Sequence, residues 1–142
     1  MNLDVLVFAA HPDDAELGMG GTIAKLTKNN LKVGIVDLTK GELGTRGTAE
    51  SRQHEAFNAG IALKIALREN LEIPDGDIKN SKENLMKIIK EIRKYKPKIV
   101  FAPYFNDRHP DHIDASSLVK RAMFSTGLAK IKSFDKEVPQ SH

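Results

Sequence analysis

The chain has no cysteine and no tryptophan. Without thiols there is no disulfide framework and no thiolate ligand, so any bound metal must sit on His, Asp or Glu. Long apolar runs are missing too: the first, Val5 to Ala10, falls far short of the ~20 residues a spanning helix needs. The start, Met1-Asn2-Leu3-Asp4, enters that run with no basic stretch ahead of it. No signal peptide and no membrane partner are therefore expected, and a cytoplasmic location is the expectation. An excess of one charge sign is also lacking. With 22 basic against 19 acidic residues and the lysines scattered, nothing offers the clustered basic stripe of a nucleic-acid binder. There is no internal repeat and no low-complexity segment.

What is present fits one domain. At 142 residues and 40% hydrophobic the chain can bury a real core. Leu3 to Ala10 is a nearly continuous apolar run closed by Pro12, the pattern of a strand buried on both faces. Asp13 or Asp14 can cap a helix to about Asn29, with glycines 18, 20 and 21 letting it lie close to a strand or ligand. Lys32 to Leu38 reads as a second buried strand, followed by a long Gly/Thr loop, 39–48, of the length that tends to carry function. Thr48 caps a helix through Ile61 with Ala56, Phe57, Ala59 and Gly60 inward. Ile65-Ala66-Leu67 is a short third strand, and Arg68-Glu69-Asn70 with Pro74-Asp75-Gly76-Asp77 a loop and turn. Ser81 caps the clearest helix, whose Leu85, Ile88, Ile89, Ile92 and Tyr95 share one face. A fourth buried strand, Ile99 to Ala102, precedes a helix from about His112 or Asp114 that turns Leu118, Val119, Ala122 and Met123 inward and stops at Gly127. After that the pattern fades. The expected domain is residues 1–127, with 128–142 an ill-defined tail.

Such alternation implies an α/β, Rossmann-like open parallel sheet with helices on both faces. Ligands then gather beyond the carboxyl ends of the strands, where strand order reverses. In the order 3-2-1-4 that point lies between strands 1 and 4. Each of these strands runs into a His/Asp cluster: His11-Pro12-Asp13-Asp14 and His109-Pro110-Asp111-His112. Either alone reads as a turn with a helix cap; together they read as a metal site. Two imidazoles and a carboxylate, His11, His112 and Asp14, leave zinc an open position for water. Asp13 is then free to act as general base, and His109, its ring held by Asp111, can stabilise an oxyanion as an imidazolium. Arg46, Arg52 and Arg108 are the cations expected to face the pocket. The Gly18-Met19-Gly20-Gly21 run is not a dinucleotide site, because the first strand-to-helix turn holds His11 to Asp14 instead. His54 and His142 have no supporting context.

The paired motifs resemble the PIG-L/LmbE-like zinc-dependent N-deacetylases. That resemblance implies His11, Asp14 and His112 on zinc, Asp13 as base, His109 as electrostatic catalyst, and a small-molecule N-acetylglucosamine conjugate as substrate. The stretch Asp37 to Thr48, with Arg68-Glu69-Asn70-Leu71, is similar to the branch that deacetylates N-acetylglucosaminyl-malate in bacillithiol biosynthesis, and with that substrate Arg46, joined by Arg52 or Arg108, would hold the malate carboxylates. Members of the family are longer, which implies that this chain is a fragment, with an apolar edge that favours self-association. A non-catalytic zinc- or sugar-binding relative, or a metallohydrolase of another class, are the competing readings.

Overall fold

A computed structural model describes residues 1–133; most of the 128–142 tail, His142 included, lies outside the described residues. The elements run β1 (Val5–Ala9), α1 (Asp14–Lys28), β2 (Val33–Asp37), α2 (Ala49–Ala62), β3 (Leu67–Asn70), α3 (Lys82–Tyr95), β4 (Ile99–Phe101) and α4 (Pro110–Thr126). The strands form one parallel sheet in the order β3-β2-β1-β4, as the sequence implies.

Alternate residues of β1 feed two cores. Leu6, Phe8 and Ala10 join Val36 and Leu38 against Leu85, Ile88, Ile89 and Ile92 of α3 and Leu118, Val119 and Ala122 of α4. Val5, Val7 and Ala9 join Val33 and Ile35 against Ala15 and Ile23 of α1. A strand with apolar side chains on both faces is what a helix-covered sheet requires. Ser81 and Thr48 cap α3 and α2 as expected, each accepting from a first-turn amide. Among the described residues no helix is long and apolar enough to cross a membrane.

Four expectations need correction. The third strand is Leu67–Asn70, two residues later than the apolar run suggests, because pairing of Arg68 and Asn70 with β2 is made possible by polar partners. Arg68 bonds Asp37, and Asn70 donates to the Thr39 carbonyl. β4 is not buried on both faces: Ile99 is 53% exposed, since among the described residues β4 pairs with β1 alone and borders an apolar cleft of about 590 Å³. Phe57 points outward; α2 buries only Gly60. The glycines of α1 do not mediate close packing, for a Cβ at any of the three would meet nothing within 4 Å. They flank a break at Met19 (φ −149°, ψ 22°) that divides the helix.

Candidate metal centre

β1 and β4 are parallel neighbours, so the loops leaving their carboxyl ends meet. His11 lies two residues past the end of β1, and His109 is the N-cap of α4, earlier than the helix start expected from sequence because Pro110 suits the first helical turn. The three imidazoles converge, with ring centroids 4.8 Å apart for His11–His109, 5.5 Å for His11–His112 and 4.8 Å for His109–His112. Between β1 and α1 the backbone turns through Asp13 at φ 122°. No Cβ-bearing residue adopts that conformation without cost, roughly 1–3 kcal/mol, and it sets Asp13 and Asp14 in different directions.

The hydrogen bonds assign the imidazole protons. His11 Nε2 lies 2.8 Å from Asp111 Oδ2 and 3.0 Å from Asp75 Oδ1, so it carries a proton and leaves Nδ1 facing Asp14 Oδ2 at 3.2 Å. His112 Nδ1 lies 3.1 Å from Asp107 Oδ2, which leaves Nε2 facing the same Asp14 oxygen at 3.1 Å. That nitrogen is buried without a hydrogen-bond partner. One carboxylate oxygen thus confronts two imidazole lone pairs, an arrangement of acceptors against acceptors that calls for positive charge between them. A divalent cation held there would supply it. A carboxylate behind each imidazole is also the outer-shell pattern of histidine metal ligands. His11, Asp14 and His112 bring their ligand atoms within 4.8 Å of one another, as do His11, His109 and Asp111. With no metal, protons take that place. Burial alone would lower the His11 pKa, but hydrogen bonds to Asp14 and Asp111 and the charges of Asp14 and Asp75 raise it to about 9. Asp14, despite its burial, is held below the usual carboxylate range by its bonds to the His11 ring and amide.

Asp13 stands apart from this trio. Burial, with the charges of Asp14 and Glu16, raises its pKa against the opposing pull of Arg52; a carboxyl shifted upward is better suited to take and return a proton. Asp13 lines a cleft of about 280 Å³ together with His11, His109, Asp111 and Arg52. His109 is held by Asp111 through a different group from the carboxylate. Its Nδ1 accepts from the Asp111 backbone N–H at 3.2 Å, which requires a lone pair there and puts the proton on Nε2. The ring then presents its Nε2–H as a donor. Asp111 holds it through its amide; the Asp111 carboxylate serves His11 instead.

Of the three arginines, Arg52 reaches the site. It lies 3.4 Å from Asp13 Oδ2, while its Nη1 donates to the Gly41 carbonyl at 2.8 Å. Gly41 sits at φ +63°, where an L side chain is strained, and the guanidinium fills the space a Cβ would take. Arg46 is exposed, on an adjoining depression that shares Asp13, Gly44 and Arg52 with the cleft. Arg108 is exposed and lines none of these walls, so its expected place in the pocket is not observed.

Sequence reasoning missed Asp75, Asp107 and Arg68. The turn signal around Asp75 conceals its carboxylate, and Asp107 precedes the motif by two residues. Arg68 reaches under the first turn of α1, pairing in two-pronged fashion with Asp37 (2.8 and 3.1 Å) and with Glu16, and donating to the Ala56 carbonyl. Glu16 lies two residues beyond Asp14, so Arg68 anchors the segment that presents the Asp pair.

A parallel α/β sheet with a His/Asp cluster able to hold a cation at its switch point is the class of protein that fold and site define. The family described as PIG-L: GlcNAc-PI de-N-acetylase matches residues 6–123, and the chain belongs to that family. It is similar to the diacetylchitobiose deacetylase of Thermococcus kodakarensis, with 32% identity over 92% of this chain and 53% of the relative. Among solved structures it resembles the conserved protein TT1542 from Thermus thermophilus, with TM-score 0.86 and 46% identity over 90% of this chain and 58% of that one. It also resembles GalB, the 4-carboxy-2-hydroxymuconate hydratase of Pseudomonas putida KT2440, with TM-score 0.83 and 25% identity over 97% and 62%. The chain spans about half the length of the curated relative it matches.

Proposed function

We propose that residues 1–127 form the metal-binding and catalytic part of a zinc-dependent N-deacetylase that hydrolyses the N-acetyl group of an N-acetylglucosamine conjugate to acetate and a free amine. The observation that carries this is Asp14 Oδ2 set between two imidazole acceptors, His11 Nδ1 and His112 Nε2, beside an upward-shifted carboxyl that is not part of the trio. His11, Asp14 and His112 would hold the ion. When bound, zinc polarises a carbonyl and lowers the pKa of water. Asp13 takes the proton of the attacking water and returns it to the departing nitrogen. His109 Nε2–H donates to the oxygen of the acetyl carbonyl as negative charge develops there. Arg52, pinned by Gly41, keeps the Asp13 carboxylate oriented.

For the conjugate we propose N-acetylglucosaminyl-malate, the substrate class of the bacillithiol branch. The Gly-rich loop that carries Arg46 borders the cleft and supports this, since a free guanidinium there suits a dicarboxylate. Arg46→Ala should then raise KM for the malate conjugate by about tenfold, the worth of roughly one such contact, and leave plain N-acetylglucosamine unaffected. Equal effects on both would remove the malate assignment.

A second reading, binding without turnover, is favoured by the open apolar cleft along β4. One experiment separates the two. Acetate release from N-acetylglucosaminyl-malate is measured with the zinc-loaded and the chelator-treated 142-residue protein. Release dependent on zinc supports hydrolysis; zinc bound with no release supports the binding reading. Sedimentation of the same samples tests the expected self-association.

A further inference from the structure

The turn between β3 and α3 is tied to His11, to Asp111 and to the loop on the rim of the cleft. The Asp75 side chain is largely buried, with its Oδ1 3.0 Å from His11 Nε2. Its Oδ2 accepts the Leu43 amide at 2.9 Å, and its own amide donates to Glu42 Oε2 at 3.0 Å. The next amide, of Gly76, donates to Asp111 Oδ2 at 3.1 Å. The turn is also pressed against the loop, for a Cβ on Gly76 would meet Leu43 Cδ1 at 2.9 Å. A single side chain thus joins the ring of His11 to the Gly/Thr loop that forms one rim of the cleft.

We propose that Asp75 is a positioning residue that couples metal loading at His11 to closure of the 41–48 loop. It rests on the metal reading above. His11 Nε2 has one proton for two carboxylates, Asp75 and Asp111. A cation on the opposite nitrogen of the ring polarises that N–H and tightens its hold on both. Asp75 passes the gain to Leu43 through its second oxygen, so the rim is firmest when the site is loaded. The coupling is reciprocal: what the metal does for the loop, the loop does for the metal. Because outer-shell partners are worth roughly 10–100-fold in metal affinity, zinc should slow loop opening by about tenfold when Asp111 retains its own share.

Arg46 reports on this directly, being exposed in the same loop. The test is limited trypsin digestion of the 142-residue protein with and without one equivalent of zinc, the cut between Arg46 and Gly47 identified by mass and zinc binding followed by calorimetry. In the parent, zinc slows that cut by about tenfold, in proportion to the closed population. In Asp75→Asn, zinc still binds, about tenfold more weakly, and the protection disappears. Leu43→Pro, which removes the donor without touching His11, also abolishes it. Binding without protection in the parent, or protection kept in both variants, overturns the coupling. An equal speeding of the cut with and without zinc in Asp75→Asn overturns it as well, since that is what a purely structural turn would give. Absence of zinc binding in the parent overturns the metal reading and this inference together.

Discussion

Replacing Arg68 by Met should destabilise the protein far more at pH 8 than at pH 5. The guanidinium lies between Asp37, which is 2% exposed, and Glu16. Burial pushes the Asp37 carboxyl up to about 6 even though Arg68 pulls it down. Its folded value is above its unfolded value, so stability is greatest below the unfolded value and declines as pH rises through about 6. Without Arg68 the carboxyl stays protonated. At pH 5 it is largely protonated in the parent too, so only the bonds to Glu16 and the Ala56 carbonyl are lost, about 1–2 kcal/mol. At pH 8, two units above the parent value, holding that proton adds up to about 3 kcal/mol. The total of roughly 3–5 kcal/mol is what removal of one partner from a buried ion pair typically costs. The assay is urea unfolding of the chelator-treated protein at both values of pH. The double variant Arg68→Met with Asp37→Asn should lose the pH dependence. An equal cost at pH 5 and pH 8 would refute the reasoning, because the charge on Asp37 would then not be what Arg68 compensates.

Two further outcomes are expected. Asp13→Asn should retain zinc at parental stoichiometry and lose about 10²–10⁴-fold in kcat; retained turnover, measured as acetate released, would remove it as the base. Glu91→Gln should raise Tm at pH 8 and leave it unchanged near pH 4.5. Burial, followed by the hydrogen bond and charge of Glu69, lifts the Glu91 carboxyl to about 7, so the ionised form burdens the fold increasingly as pH climbs from 4.5 through 7. After allowance for solvent screening the gain is about 1 kcal/mol, and a variant with no gain at pH 8 would show that this carboxyl is comfortable as an anion.

Much of the architecture is legible in the sequence because it rests on local patterns. The one-sided helix at Leu85, Ile88, Ile89 and Ile92 and the two-sided strand from Val5 to Ala9 advertise their burial, and regular alternation of such elements leaves few topologies. β3 escapes a local reading because its burial depends on long-range pairing. Arg68 looks like a loop residue until Asp37 and Glu16 are seen around it. β4 misleads in the opposite sense: Ile99-Val100-Phe101 has the composition of a covered strand, yet among the described residues it lies at an edge, where composition says nothing of exposure. Within the site, the two motifs announce themselves through their spacing from strand ends. Asp75 does not, because Pro-Asp-Gly is accounted for by turn formation alone, and nothing local says that its carboxylate reaches back to His11.

The carboxylates around the site explain why so many are needed. Asp14 faces the two imidazoles from within; Asp107, Asp111 and Asp75 stand behind them. Four acids around His11 and His112 form a field that strongly favours positive charge, and three of them, Asp14, Asp111 and Asp75, raise His11 to about 9 despite its burial. The same field would be a liability for a site meant to bind an anion directly. It is consistent with a site that first takes a cation and presents cationic or neutral donors, Arg52, Arg46 and His109 Nε2–H, only on the outer side of the cleft. The division follows from the backbone: the strained turn at Asp13 separates two adjacent carboxylates, so that one meets His11 and His112 and the other lines the cleft.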